Sequence, residues 1–361
     1  MIYINLDFKE TELGSCAKMF TEDDVIYVHD YHSGPLYTIA CSPTDTGLVA
    51  CGGRDNLVSL WRIGCGNSVN KFVGHKDSIS SVAFSKDGQL LASGGVDSCI
   101  KIWDMSGNIK CTFDGSAGKE FEWVKWHPNA HLVLAGCTDA TVWMLNADKS
   151  AVLGVFSGHC GAVTCGDFTP NGKSICTGSV DGTFRIWNPR TGESSVVRGH
   201  RKASALTCLT YTSDSTHALT GSEKGFFSVV KISSKKVIKT LSLHSSSIHC
   251  TGLSSSKPWA ATGGADDKLI IWDMNHFADR SIIQYQAEIS CLKWLGDSHF
   301  VALGFSDGQI IICDSRTEES VKIFQTHSKK ISELDVSTCN NFLVSASEDG
   351  IAHVFDISNF R

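Results

Sequence analysis

Three groups of residues in this chain contain the histidine, hydroxyl and carboxylate that a nucleophilic triad requires. Each group also includes a tryptophan, and its members recur at one spacing: His75, Ser93, Asp97 and Trp103; His159, Thr177, Asp181 and Trp187; His244, Thr262, Asp266 and Trp272. An active site needs one such group, so three copies favour a structural role. The hydroxyl is also predicted within a strand, away from the sharp turn that exposes a nucleophile.

A chain of hydrogen bonds accounts for all four residue types. The carboxylate accepts from the imidazole and from backbone amides of a tight turn, while the hydroxyl joins the second imidazole nitrogen to the indole N–H. We therefore predict three buried structural tetrads and no catalytic residue. Because the sequence also lacks a phosphate-binding loop, we predict that the protein is not an enzyme and needs no cofactor.

The cysteines are the other residues that could carry chemistry. The chain has 15, mostly inside apolar runs, and no two form a CxxC pair. His159, Cys160 and Cys165 are the nearest approach to a ligand group, but their spacing fits no common zinc pattern. We therefore predict buried free thiols in a reducing compartment and no metal site.

A repeat of 41 to 43 residues positions the tetrads. Segments such as GGVDSCIKIWD and GSVDGTFRIWN share two small residues, one variable residue, a turn residue and a strand. The turn residues of the eight copies are Asp55, Asp97, Asp139, Asp181, Lys224, Asp266, Asp307 and Asp349. This period is typical of the four-stranded blades of WD-repeat proteins. The sequence predicts an all-β fold, an eight-bladed WD-repeat β-propeller.

The two ends of the chain indicate how the ring closes. The last copy ends its third strand near Ile357, and residues 25–30 are the one β-like run without a place in a repeat. We predict that this N-terminal strand completes the last blade. The propeller then spans residues 23–361, and residues 1–22 form a short acidic lead-in of low order.

Composition limits the possible partners and compartment. The net charge of −6 argues against general nucleic-acid binding and permits a cationic partner. No apolar run approaches the ~18 residues of a membrane span, and the first residues do not resemble a secretory signal. We predict a monomer without membrane insertion, located in the cytoplasm with the nucleus as a second compartment.

Two segments carry a closer likeness than the repeat itself. In FEWVKWHPNAHLVLAGCTDATVWMLN (121–146) the tryptophan has moved two places earlier, to Trp143. The second segment, NGKSICTGSVDGTFRIWNPRTGE (171–193), surrounds the turn residue Asp181. With eight blades, these segments resemble the angio-associated migratory cell protein family over residues 24–359. That family is similar to a yeast propeller that chaperones a basic ribosomal protein of the large subunit. Its members tend to carry a long acidic N-terminal extension, and about 22 residues precede the ring here, so no role for that extension is carried over.

The resemblance implies an acidic face that holds a basic peptide. We expect that face to be lined by the third and fifth residues after each repeat histidine and by the residue before each turn residue. These positions hold five acids and two bases, with small hydroxyl residues between them, and Asp267 adjoins them. The predicted partner-binding residues are Glu120, Glu122, Glu223, Asp267, Glu288, Glu348 and Tyr37. Since an exposed ion pair contributes only about 0–1 kcal/mol, several must act together.

Two functions remain open from the sequence. The first is a chaperone or assembly factor that binds an Arg/Lys-rich segment of a basic ribosomal protein. The alternative is a generic adaptor in a signalling, cell-migration or ubiquitin-ligase complex, although the chain lacks the helical domain that such receptors commonly carry. Direct nucleic-acid binding is not expected of an acidic face.

Overall fold

The computed structural model describes residues 25–65, 70–115, 118–197 and 204–360. These residues form eight four-stranded antiparallel sheets, as predicted. The proposed lead-in, residues 1–22, lies outside the described residues. Within them, helical structure is limited to a 3₁₀ turn at Ser358–Phe360, and no helix is long and apolar enough to cross a membrane.

The strands follow one another along the chain, and each blade runs from its innermost strand outward. The N-terminal strand is β1 (Val25–His29). Blades 1 to 4 comprise β2 (Leu36–Cys41), β3 (Leu48–Gly53), β4 (Leu57–Arg62) and β5 (Asn70–Val73); β6 (Ile79–Phe84), β7 (Leu90–Gly95), β8 (Cys99–Asp104) and β9 (Ile109–Asp114); β10 (Phe121–Trp126), β11 (Leu132–Cys137), β12 (Thr141–Asn146) and β13 (Ala151–Ser157); β14 (Cys165–Phe168), β15 (Ile175–Gly178), β16 (Phe184–Trp187) and β17 (Ser194–Val196).

The second half of the ring repeats this plan. Blades 5 to 8 comprise β18 (Leu206–Tyr211), β19 (His217–Ser222), β20 (Phe227–Lys231) and β21 (Lys236–Leu241); β22 (Ile248–Leu253), β23 (Trp259–Gly264), β24 (Lys268–Asp273) and β25 (Ala278–Gln284); β26 (Ile289–Trp294), β27 (Phe300–Phe305), β28 (Gln309–Asp314) and β29 (Ser320–Gln325); β30 (Ile331–Val336), β31 (Phe342–Ser347), β32 (Ala352–Asp356) and β1.

The ring closes through the N-terminal strand, as predicted. β1 pairs antiparallel with β32, with Tyr27 opposite Val354 and His29 opposite Ala352. Blade 8 therefore contains both ends of the described chain. Its fourth strand protects an edge that would otherwise present unpaired backbone groups.

The core lies between blades, so the middle strands are buried on both faces. All six residues of β7 are buried, and one cluster joins Val58 and Phe72 of blade 1 to Ile79 and Trp103 of blade 2. Blades approach closely where the repeat has glycine: a Cβ on Gly94 would lie 2.8 Å from a methyl group of Val124. This burial on both faces explains the apolar strands of the sequence.

Candidate functional site: the loop face of the ring

One end of the ring carries the eight turns between second and third strands and the connections that lead from one blade to the next. We call this end the loop face and define it by the turn residues Asp55, Asp97, Asp139, Asp181, Lys224, Asp266, Asp307 and Asp349. Turns such as residues 85–89 and 105–108 lie on the opposite face, because each strand crosses the ring once.

Blades 2 and 6 hold the tetrad in its simplest form. His75 Nδ1 donates to Asp97 at 3.0 Å, Ser93 donates to His75 Nε2 at 2.7 Å, and the Trp103 indole donates to Ser93 at 2.8 Å. In blade 6 the three corresponding distances among His244, Asp266, Thr262 and Trp272 are all 2.8 Å. Every polar side-chain group of these two tetrads is paired, and each tetrad forms a rigid connection between the loop and two strands.

Blade 4 departs from this pattern through one residue. Thr183 donates its hydroxyl to Asp181 at 2.7 Å and lies 2.9 Å from His159 Nδ1, whereas the distance from His159 to Asp181 is 3.3 Å. Thr177 joins His159 Nε2 to the Trp187 indole, each at 2.8 Å. The imidazole of blade 4 thus has a second acceptor beside the carboxylate.

Two further hydrogen-bond chains were missed in the sequence. In blade 8, His327 Nδ1 donates to Asp349 at 2.9 Å and Ser345 donates to His327 Nε2 at 2.7 Å, with Phe355 at the tryptophan position. In blade 1, His32 Nδ1 donates to Asp55 at 2.9 Å. The His32 Nε2 faces the Sγ of Cys51, which also accepts from the Trp61 indole. The histidine-to-aspartate spacing of both blades was visible in the sequence. However, Cys51 stands at the hydroxyl position of blade 1, and Phe355 stands at the tryptophan position of blade 8.

Burial and hydrogen bonding shift the pKa values of several interior groups. Burial opposes ionisation of Asp349, but hydrogen bonds from His327 and from the amides of Ser328 and Ile351 prevail and lower the pKa of the carboxyl to about 2. Burial lowers the pKa of His159 to about 4 and that of His353 to about 4. The two histidines are therefore neutral at pH 7.

A β-bulge near the start of the innermost strand positions the residues that face the entrance of the central channel. In blades 2 and 3, for example, the pairing register skips Ser80 and Glu122. A bulge of this kind turns a side chain out of the regular ladder. The residue concerned is the fifth after the repeat histidine, one of the positions that the sequence predicted to line the loop face.

Most of these positions are not open to a partner, contrary to the expectation. Five hydroxyls donate to a main-chain carbonyl of the next blade, namely those of Ser80, Thr164, Thr207, Ser290 and Ser332. Their carbonyl acceptors belong to Phe121, Leu206, Ile248, Ile331 and Leu36. The small hydroxyl residues therefore join neighbouring blades, because a short side chain at this position reaches only the adjacent backbone.

Three members of the series are larger and make no such bond. They are Tyr37, Glu122 and His249, in blades 1, 3 and 6. Tyr37 is 38% exposed, whereas Glu122 and His249 are half-buried. Of the two neighbouring acids in blade 3, Glu120 is thus exposed and Glu122 is not, although both were predicted at exposed positions. Burial and the nearby Glu120 carboxylate raise the pKa of Glu122.

The predicted partner-binding acids share one property: their carboxylates have no hydrogen bond or ion pair within the described part of the chain. Glu120, Glu223 and Glu288 are exposed, while Asp267 and Glu348 are partly exposed. Other acids of the loop face do have partners, for example Asp139, which pairs with Lys119 at 2.8 Å. The loop face also carries the exposed bases Arg54, Lys224 and Lys330, whereas blade 3 contributes two of the six predicted partner-binding acids.

The central channel contains a second set of charges, which sequence analysis did not find. A cavity of about 850 Å³ is lined by residues that include Lys125, Asp167, Lys293, Glu333 and Asp335. Glu333 and Asp335 accept from the backbone amides of blade 1, and Lys293 lies 2.7 Å from Asp335. Burial raises the pKa of Asp167 to about 6. The bonds of Glu333 and Asp335 join blades 7, 8 and 1.

Known proteins resemble this chain along most of its length. The family model "WD domain, G-beta repeat" matches residues 24–62, 66–104, 150–188 and 235–273, and the "Anaphase-promoting complex subunit 4 WD40 domain" model matches residues 269–338. Angio-associated migratory cell protein from Homo sapiens and from Canis lupus familiaris is 29% identical over 96% of this chain and 83% of the relative.

Solved structures show the same fold. Sqt1 from Saccharomyces cerevisiae has a TM-score of 0.83 at 18% identity, covering 92% of this chain and 99% of that one. Sqt1 from Chaetomium thermophilum, bound to the N-terminus of the ribosomal protein L10, has a TM-score of 0.82 at 19% identity with the same coverage. The predicted fold and family resemblance are confirmed: the chain is an eight-bladed WD-repeat scaffold that is similar to angio-associated migratory cell protein along most of its length.

Proposed function

We propose that this protein is a dedicated chaperone of a basic ribosomal protein and holds an Arg/Lys-rich segment of its client on the loop face. The observation that carries the proposal is the pair Glu120 and Glu122, two neighbouring carboxylates without a cationic partner among the described residues. Glu122 is half-buried, so it bears the cost of partial desolvation without the compensation of an ion pair. A bound guanidinium would provide that compensation.

The geometry of the ring supports an extended client. Glu120 and Glu122 belong to blade 3, Glu223 to blade 5 and Glu288 to blade 7, so unpaired acids recur around the entrance of the channel. Tyr37 adds an exposed aromatic side chain in blade 1 that can pack on a guanidinium. A peptide crossing this face meets carboxylates that accept bidentate hydrogen bonds from arginine.

A protein of similar fold supports the proposed chemical class of the client. Chaetomium thermophilum Sqt1 binds the N-terminus of the ribosomal protein L10. We therefore propose a basic N-terminal segment as the ligand, a monomeric chaperone, and a cytoplasmic location with access to the nucleus. Direct contact with nucleic acid is not part of the proposed activity.

The test is calorimetric titration with the N-terminal peptide of ribosomal protein L10 at low and high salt. The double variant Glu120→Lys/Glu122→Lys reverses the charge at both positions. We expect it to bind the peptide at least tenfold more weakly at low salt, a loss of about 1.4 kcal/mol or more. Glu223→Lys and Glu348→Lys should each have a smaller effect, because Lys224 and Lys330 already reduce the local negative charge. Parent binding should weaken at high salt, since ion pairs at an exposed face are screened.

The matched control is Glu319→Lys on the opposite face. Glu319 is exposed and its carboxylate has no partner among the described residues, whereas Asp87, another acid of that face, accepts from His131 and Ser85. Glu319→Lys should bind like the parent. If the blade 3 double reversal also binds like the parent at low salt, the chaperone mechanism is wrong and an adaptor role becomes the better account.

A further inference from the structure

Three side chains of metal-binding types meet where the ring closes. His29 is the last residue of β1, His32 follows in the connection to blade 1, and Cys51 lies in β3. One ligand atom from each lies within 4.8 Å of the others. All three residues are buried, with exposures of 0%, 8% and 0%.

His29 has no hydrogen-bond partner in the described structure. Neither of its ring nitrogens is paired, although the side chain is completely buried. An unpaired polar group in the interior costs about 1–3 kcal/mol, so native proteins usually provide such a group with a partner. The ring is held by stacking on Trp61, with centroids 4.7 Å apart, and its edge faces His32.

The neighbours of the other two residues prepare them as ligands. Asp55 accepts from His32 Nδ1, and His32 Nε2 faces the sulfur of Cys51, 3.3 Å away. A carboxylate behind a histidine is the usual outer partner of a zinc-bound imidazole. The Trp61 indole donates to the Cys51 sulfur at 3.4 Å, which fixes the position of the sulfur beside His32.

The other blades show that this arrangement is specific to the closure. The residue three places before the repeat histidine is phenylalanine at Phe72, Phe156 and Phe324, and only here is it a histidine among those described. The hydroxyl position holds Ser93, Thr177, Thr262 or Ser345, and here it holds Cys51. Two replacements at one junction thus convert a hydrogen-bond tetrad into a set of two imidazoles and one thiol.

We propose that His29, His32 and Cys51 bind one Zn²⁺ ion at the closure of the ring. Two imidazoles and a thiolate are preferred ligands of this ion. Tetrahedral coordination places nitrogen and sulfur roughly 3.5 Å apart, close to the 3.3 Å separation of His32 Nε2 and Cys51 Sγ. The ion joins the N-terminal strand to blade 1, so binding stabilises the closed ring. The sequence predicted no metal site because this spacing matches no common motif.

The test uses the full chain, stripped of metal and titrated with Zn²⁺ and with Co²⁺ as a spectroscopic substitute. The parent should bind one ion per chain, show a thiolate-to-cobalt charge-transfer band and melt at a higher temperature with Zn²⁺. Cys51→Ser and His29→Phe introduce the residues found at the corresponding positions of the next repeat, Ser93 and Phe72, so both variants should fold. Cys51→Ser should lose the band, and His29→Phe should bind at least tenfold more weakly.

Two results would overturn the proposal. The first is a parent that shows no charge-transfer band and no stabilisation by Zn²⁺, in which case His29 is an unpaired residue stacked on Trp61. The second is a band that persists in Cys51→Ser, because the sulfur ligand would then be another of the chain's cysteines. If Cys51→Ser fails to fold, His29→Phe with the parent decides the question alone.

Discussion

Blades 1, 2, 4, 6 and 8 and blades 3, 5 and 7 use their acids differently. In the first group a histidine bonds to the turn carboxylate of its blade. In blade 3 of the second group the turn residue Asp139 pairs with Lys119, and in blade 5 the turn residue is Lys224. In blade 7 the turn residue Asp307 accepts only from the amide of Gln309 among the described residues. The second group of blades carries four of the six predicted partner-binding acids: Glu120, Glu122, Glu223 and Glu288.

The comparison separates rigidity from binding. A carboxylate with several buried donors holds a loop against its strands and has no capacity left for a partner. An unpaired carboxylate adds nothing to the stability of the fold, and the half-buried carboxylate of Glu122 lowers that stability. Unpaired carboxylates can, however, bind a cationic group of a partner. The first group of blades therefore holds its turns with paired carboxylates, and the second group carries most of the predicted partner-binding acids.

The largest effect is expected from removing the strand that closes blade 8. Deleting residues 1–30 removes β1 and leaves β32 with an open edge, so we expect a large loss of melting temperature or soluble yield. Deleting residues 1–20 leaves β1 intact and should change melting little. Thermal melts of the two truncations decide the point, and equal behaviour would refute closure by the N-terminal strand.

Next in size is the contrast between tetrad and non-tetrad turn residues. Asp266→Ala should destabilise the protein by roughly 2–3 kcal/mol, because the buried His244 loses its acceptor and the Ser245 amide loses the same carboxylate. Asp181→Ala should cost about 1 kcal/mol, since Thr183 remains as an acceptor for His159. Lys224→Ala, in blade 5, should stay within about 0.5 kcal/mol.

Urea unfolding of the three variants measures these differences. Comparable losses at Asp266 and Lys224 would contradict the division between the two groups of blades. A loss at Asp181 as large as that at Asp266 would show that Thr183 does not compensate.

A smaller effect is expected from pH. The folded pKa of His353 is lowered to about 4, below the unfolded value near 6.5, so the unfolded chain takes up a proton first. The stability that this histidine contributes is therefore complete above pH 6.5 and is lost as pH falls toward 4. When the pH falls from 7 to 5, the free energy of unfolding should decrease in both proteins, and the decrease should be about 1–2 kcal/mol smaller in His353→Phe than in the parent. Parallel pH profiles of the two proteins would disprove this assignment.

The repeat made the fold predictable, because eight turn residues at a constant interval fix the number of blades. The tetrads of blades 2 and 6 follow from the same spacing. The competition of Thr183 for His159 does not, since it depends on distances of a few tenths of an ångström. A sequence also cannot show that Ser80 or Thr164 donates to the next blade, or that Glu122 is half-buried, because both depend on how closely the blades pack.

The central claim is that the blade 3 glutamates serve binding and not stability. The most direct measurement is a pair of readings on one variant, Glu120→Gln with Glu122→Gln: unfolding in urea, and titration with the basic peptide at low salt. The raised pKa of Glu122 shows that the folded state disfavours its charge, so neutralisation should leave stability unchanged or increase it. Peptide binding should weaken by tenfold or more. A variant that is less stable than the parent, or that binds the peptide equally well, would contradict the account.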